Sequence, residues 1–177
     1  MKFKYEHQLI IRILIAILIT IVFLKLFYRI FFPLTIYPVY YFLKLFFEGS
    51  LIGNIILINE YNLNFIEACV ATMAYFLLAM LILFTKDINL KKRIYMFLVG
   101  SILILAFNII RIIVLIIILL VYGANAFESV HLFIWGFVST LYVFLVWIIL
   151  IKMFKVKSIP IYSDLKELYK KSYFRKK

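Results

Sequence analysis

The chain reads as long apolar runs separated by short polar stretches, with Lys and Arg gathered mostly where the runs end. The first run, from Leu9 to about Tyr28, is long enough to span a bilayer core, which takes ~20 apolar residues. Arg12 and Lys25 interrupt it and no small-residue cleavage site follows, so it does not read as a removable signal. Further runs predict a helix from about 65 to 85, another from Ile94 to Tyr122, and a last one from His131 to about Met153. As one helix, the 94–122 run would be about 43 Å long against a ~30 Å core. Tilting, kinking or an early end would have to absorb the excess.

Two stretches break this pattern. Residues 33–47 hold Pro33 and Pro38 in a short, aromatic-rich run, which suits either a short tilted helix or an interfacial segment. Between Gly49 and Asn64 the β-branched core Asn54–Tyr61 is bounded by Gly and Asn, which predicts a short strand or hairpin-like excursion, with a plain surface loop as the alternative.

Composition agrees with the runs. Of the 177 residues, 67% are hydrophobic, and the mean hydropathy is +1.12. Together these predict one integral membrane domain rather than a soluble one. The net charge of +12 could point to nucleic acid, but its placement at run ends is the mark of membrane topology. Lys86, Lys91, Lys92 and Arg93 against Asp87 form a basic, cytoplasmic loop. The stretch 152–177 carries nine Lys or Arg against two acids, so the tail 154–177 is cytoplasmic by the same rule. Ile161, Leu165, Leu168 and Tyr169 recur there at helical spacing, suiting an amphipathic helix on an anionic leaflet or a solvated tail. The expected fold is an all-α polytopic membrane protein: four to six transmembrane helices, with a short extracytoplasmic strand-like segment before the Cys69 helix.

Against this background three residues stand out. Cys69 is the single cysteine, so it forms no intrachain disulfide and is either packing or chemistry. Arg111 lies inside an apolar run, where an arginine costs about 2.5 to 3.5 kcal/mol and should face the bundle interior or a wet cavity. His131 opens the last run, just after Ser129 as its candidate cap. The basic loop and tail being inside puts all three toward the extracytoplasmic face. Cys69 would lie about 7 to 8 Å down its helix and Arg111 about 16 Å down, with snorkelling of the arginine closing part of the gap. A thiolate is a nucleophile, a neutral imidazole in a first helical turn accepts protons, and a fixed guanidinium stabilises an oxyanion. Taken singly, each has an ordinary structural explanation. Two residues would support them. Asn108 is three residues before Arg111 and on its face. Glu67, three residues after Asn64, is better explained by a capping box than by catalysis.

The segments Glu67-Ala68-Cys69, Asn108-Ile109-Ile110-Arg111-Ile112 and Val130-His131-Leu132-Phe133-Ile134-Trp135 resemble, in the same order, the three signature blocks of the archaeosortase/exosortase family of membrane transpeptidases. The third is closer to the archaeal branch, and the resemblance covers about residues 50 to 153. Many members have Ser or Thr and then Gly after the cysteine, where this chain has Val70 and Ala71. The resemblance implies a multi-pass enzyme of the cell membrane with its active site on the extracytoplasmic face. It implies Cys69 as nucleophile, His131 as general base and acid, and Arg111 as stabiliser of the oxyanion or thiolate. The implied substrates are exported proteins ending in a short motif, a transmembrane helix and a basic tail, with a membrane lipid as acceptor. The rival is a non-catalytic assembly or transport subunit in which Arg111 binds an anion or partner and Cys69 packs. No metal-ligand cluster, cofactor motif or nucleic-acid motif is expected.

Overall fold

The computed structural model describes residues 5–85 and 88–156. The chain opens with α1, Tyr5–Lys44, a single helix of 40 residues that runs through Pro33 and Pro38. The separate segments expected at 9–28 and 33–47 are therefore one element. Each proline removes a backbone donor, but a stripe of buried side chains spaced about one turn apart, Phe27, Phe31, Thr35, Val39 and Leu43, holds the helix to its neighbours on both sides of the prolines.

A three-stranded antiparallel meander follows: β1 (Gly49–Ile52), β2 (Ile55–Ile58) and β3 (Tyr61–Asn64). The strand-like expectation is met and extended, since the single short strand or hairpin becomes three strands. Both connections are two-residue turns, with Gly53 and Asn59 at positive φ. Gly49 admits no side chain, because a Cβ there would meet the Leu57 carbonyl oxygen at 2.5 Å. Ile56 and Ile58 point inward from β2 and pack with Phe65, with Ile36, Val39 and Leu43 of α1, and with Ile112 and Ile116.

The helix expected over 65–85 is broken. Glu67–Val70 forms a single turn, α2, and Thr72–Phe84 forms α3, with Ala71 between them in the left-handed conformation (φ 58°, ψ 35°). Helix α4, Leu90–Tyr122, starts a turn earlier than the apolar run because Asn89 caps it by accepting from the Lys92 amide at 2.9 Å. Its excess length is not absorbed by an early end. In its C-terminal half Ile112 and Ile116 join the cluster of β2. Arg93, in the first turn of α4, donates to the carbonyl oxygens of Ile82, Leu83, Thr85 and Ile88 and so satisfies the end of α3.

The last run also begins earlier than expected. Helix α5, Ala124–Phe133, passes through a π-helical segment, Ile134–Val138, into α6, Ser139–Met153, giving one continuous helical path. The main core lies among α1, α3, α4 and α6, with Phe31 stacked on Tyr75 and Tyr75, Leu78, Met96, Ile104, Val143 and Leu150 wholly buried. Gly100 lets α4 approach α3 and α6, since a Cβ there would sit 2.6 Å from Leu78 and 2.8 Å from Leu150.

The protein is thus mostly helical with one small sheet. Among the described residues two helices are long and apolar enough to cross a membrane, the Lys25–Lys44 part of α1 and α4, while α3 and α6 are shorter apolar helices. Lys86 and Asp87 of the basic loop, and 157–177 of the tail where the amphipathic helix was expected, lie outside the described residues.

Candidate active site

The turn bearing Cys69 is held from two directions. From the strand side, the Phe65 amide donates to the Asn54 carbonyl at 2.9 Å, and Asn54 Nδ2 donates to Asn64 Oδ1 at 2.6 Å. From the helix side, Asn108 Nδ2 donates to the Cys69 carbonyl at 2.8 Å, and Arg111 Nη2 makes a longer 3.4 Å bond to the Ala68 carbonyl. The expected difference in depth between Cys69 and Arg111 disappears. Asn108 and Arg111 both reach the turn from the C-terminal half of α4, so they stand level with α2 rather than below it.

Two sequence expectations fail at this turn. Asn64 is the last residue of β3 and bonds to Asn54; Ile66 occupies the N-cap of α2 with no side-chain bond, so there is no capping box. Glu67 loses that structural explanation and is exposed at the first position of α2. Cys69 likewise is not near the start of a long helix, because α2 ends at Val70. The charge beside it is Arg111, which lies within electrostatic reach of the thiol and of Tyr75.

Ala71 makes the break. Its φ of 58° is a conformation that suits glycine and strains an L side chain by about 1 to 2 kcal/mol.

Arg111 is 7% exposed, and Asn108 is 2% exposed. Arg111 Nη1 donates to Ser139 Oγ at 3.1 Å, and Ser139 in turn donates to the Ile134 carbonyl at 3.1 Å. A bond to the fifth residue back is the spacing of a π-turn, so Ser139 ties the π segment to Arg111. Among the described residues no carboxylate pairs with Arg111. Its Nε, Asn108 Oδ1, Thr72 Oγ1 and the Tyr75 hydroxyl are buried without partners.

His131 is placed differently from expectation. It lies in the last turns of α5, not in the first turn of a helix, so a helix N-terminus does not act on it; Ser129, the expected cap, donates within α5 to the Asn125 carbonyl. The imidazole sits 5.3 Å from the Phe127 ring and within electrostatic reach of Arg111. No described hydrogen bond joins it to Cys69. The structure therefore brings Cys69, Asn108 and Arg111 into one bonded unit, and leaves His131 near it, unbonded.

A cavity of about 490 Å³ opens beside this unit, lined at its polar end by Glu67, Thr72, Arg111 and Ser139. Cys69 does not line it; its side chain packs with the sheet-side cluster. Ser139 and Thr72 were not singled out from sequence, and Ala71 only as a departure from the resembled pattern. The available signal for the first was a hydroxyl inside an apolar run; nothing local marks the left-handed Ala71. No group of three or more His, Cys, Asp or Glu among the described residues could hold a metal ion. No family model matches the chain, and no match is found among curated proteins or solved structures.

Proposed function

We propose that the protein is a membrane-embedded cysteine transpeptidase that removes a C-terminal sorting signal from exported proteins and passes them to a membrane acceptor. The observation that carries the proposal is that Asn108 and Arg111, from one helix face, both reach the backbone of the turn holding Cys69. This holds a fixed cation against the backbone of the turn that carries the single thiol. In this reading the protein is polytopic. Exposed apolar residues such as Ile102, Ile110 and Val121 on α4, and Phe144, Leu145 and Ile149 on α6, face lipid, where an equivalent surface in water would be a liability. The sheet and Cys69 lie on the extracytoplasmic side, and the loop before α4 lies inside.

Chemically, the Cys69 thiolate adds to the scissile carbonyl carbon, and the negative charge that develops on oxygen is stabilised by Arg111. The C–N bond breaks, the leaving amine takes a proton from the His131 imidazolium, and a thioester remains. An acceptor nucleophile, on a lipid in this reading, loses its proton to His131 and attacks the thioester, restoring the thiolate. The imidazole must close on the thiol when substrate binds, since such hydrogen bonds commonly tighten only in the substrate complex. A site at the membrane edge restricts water and favours transfer over hydrolysis.

The test is co-expression with a tagged protein ending in a motif, a transmembrane helix and a basic tail, followed by mass spectrometry of its C-terminus. Tail loss with a new adduct, dependent on Cys69, is the expected result. Processing retained in Cys69→Ala would end the assignment.

One observation favours a second reading, a non-catalytic assembly or transport subunit: the Cys69 side chain packs against the apolar cluster of Ile56, Ile58 and Ile112. Thiol labelling separates the two. A packing cysteine stays inert to a small water-soluble probe added from outside, and a nucleophile reacts.

A further inference from the structure

We infer that the cavity beside the Cys69 turn is a subsite for an acidic side chain of a polypeptide ligand. This rests on the proposed action on exported polypeptides, and adds to it the chemistry by which one of them is chosen.

Arg111 is a buried cation whose described hydrogen bonds go only to neutral oxygens, those of Ala68 and Ser139. Its Nε has no partner, and no carboxylate pairs with it among the described residues. Thr72, 6% exposed, lines the same cavity with its hydroxyl unpartnered. A guanidinium kept in an apolar bundle without a counter-charge is costly, and a carboxylate that entered would gain charge-assisted hydrogen bonds from it. Glu67 stands at the same cavity but is exposed and forms no ion pair with Arg111.

The rest of the lining is largely apolar, with Met73, Ala74 and Leu77 of α3 and Val143 of α6. From Ala71 to Leu77 the lining follows α3 for about 9 Å. An acyl chain of one leaflet needs about 15 Å, half of the hydrocarbon core. The cavity is therefore short for a membrane lipid, and its size suits a carboxylate side chain with one apolar neighbour. Ser139 holds the guanidinium at the polar end through the π segment, so the cation is fixed before the ligand arrives.

The test uses the full-length Cys69→Ala protein in nanodiscs, so that binding is read without turnover. Saturation-transfer NMR is recorded with acetyl-Ala-Glu-Leu-amide, with its Gln counterpart, and with laurate. The expected result is saturable binding of the Glu peptide about tenfold or more tighter than the Gln peptide, the usual effect of one hydrogen-bonded charge. Ala74→Phe, which fills the cavity and leaves the polar end intact, should abolish that preference. Equal affinity for Glu and Gln peptides, or no saturable binding of either, overturns the inference. So does binding of laurate with no displacement by the Glu peptide, which would assign the cavity to a lipid. These comparisons on the parent protein decide the matter even if Ala74→Phe does not fold. Failure of the transpeptidase reading is read elsewhere, as processing retained by Cys69→Ala in cells.

Discussion

Asn108 Nδ2 donates to the Cys69 carbonyl at 2.8 Å, joining two residues 39 apart in the chain. A buried side-chain amide thus orients the backbone of the turn that carries the thiol. Asn108→Leu removes the donor and strands that carbonyl, which should lower stability by about 1 to 3 kcal/mol. Asn108→Asp should fare no better, since an ionised carboxylate accepts only. Thermal unfolding in detergent, followed by tryptophan fluorescence, measures both.

Arg111 and Ser139 should behave as one unit. Ser139→Ala frees one arm of the guanidinium and Arg111→Lys replaces the fork with a point charge, so each alone should cut processing. Once either is changed, the second change should cost little more. A double-mutant cycle on processing rate checks this, and additive losses would show that the bond has no functional consequence.

Arg111→Gln removes the fixed charge from the turn that carries Cys69 and should cut processing in the co-expression assay about tenfold or more. Unchanged processing would remove Arg111 from any role in stabilising developing charge.

Ala71→Gly should raise stability by about 1 kcal/mol, since glycine adopts the left-handed backbone without strain. Ala71→Val should lower it by more, because a β-branched residue at positive φ is an outlier. Unfolding midpoints of the two variants, compared with the parent, should move in opposite directions.

Arg93→Ala leaves the terminal carbonyls of α3 without their donors and should destabilise the α3–α4 junction by about 1 to 3 kcal/mol, with Arg93→Lys recovering only part. Hydrogen exchange at the amides of α3's last turn should rise selectively. Uniform change across the protein would argue against a local role.

Much of the frame was legible from hydropathy, because burial of apolar surface is a property of runs and survives local detail. The helical regions, the strand-like segment after Gly49 and the chemical interest of Cys69, Asn108 and Arg111 follow from residue type and spacing alone. The placing of ends was poorer. Pro33 and Pro38 signalled a break that packing of Phe31, Val39 and Leu43 overrides. Ser129 looked like a cap, yet the helix had already begun at Ala124.

The sequence by itself determined the mostly helical, strongly apolar character of the chain, since 67% of its residues are hydrophobic and they fall in long runs. It also determined that Arg111 must find polar company, because a charge inside an apolar run cannot be left unsolvated. Only the tertiary structure decided which company that is. Spacing along one helix says nothing of the depth at which a neighbouring helix begins, and it was the packing of α4 against α2 and α6 that set Arg111 against Ala68 and Ser139. The left-handed Ala71 and the π segment before Ser139 were decided there too. Both are locally unfavourable, and they persist because the packing and hydrogen bonds around them outweigh the backbone preference of the residues themselves.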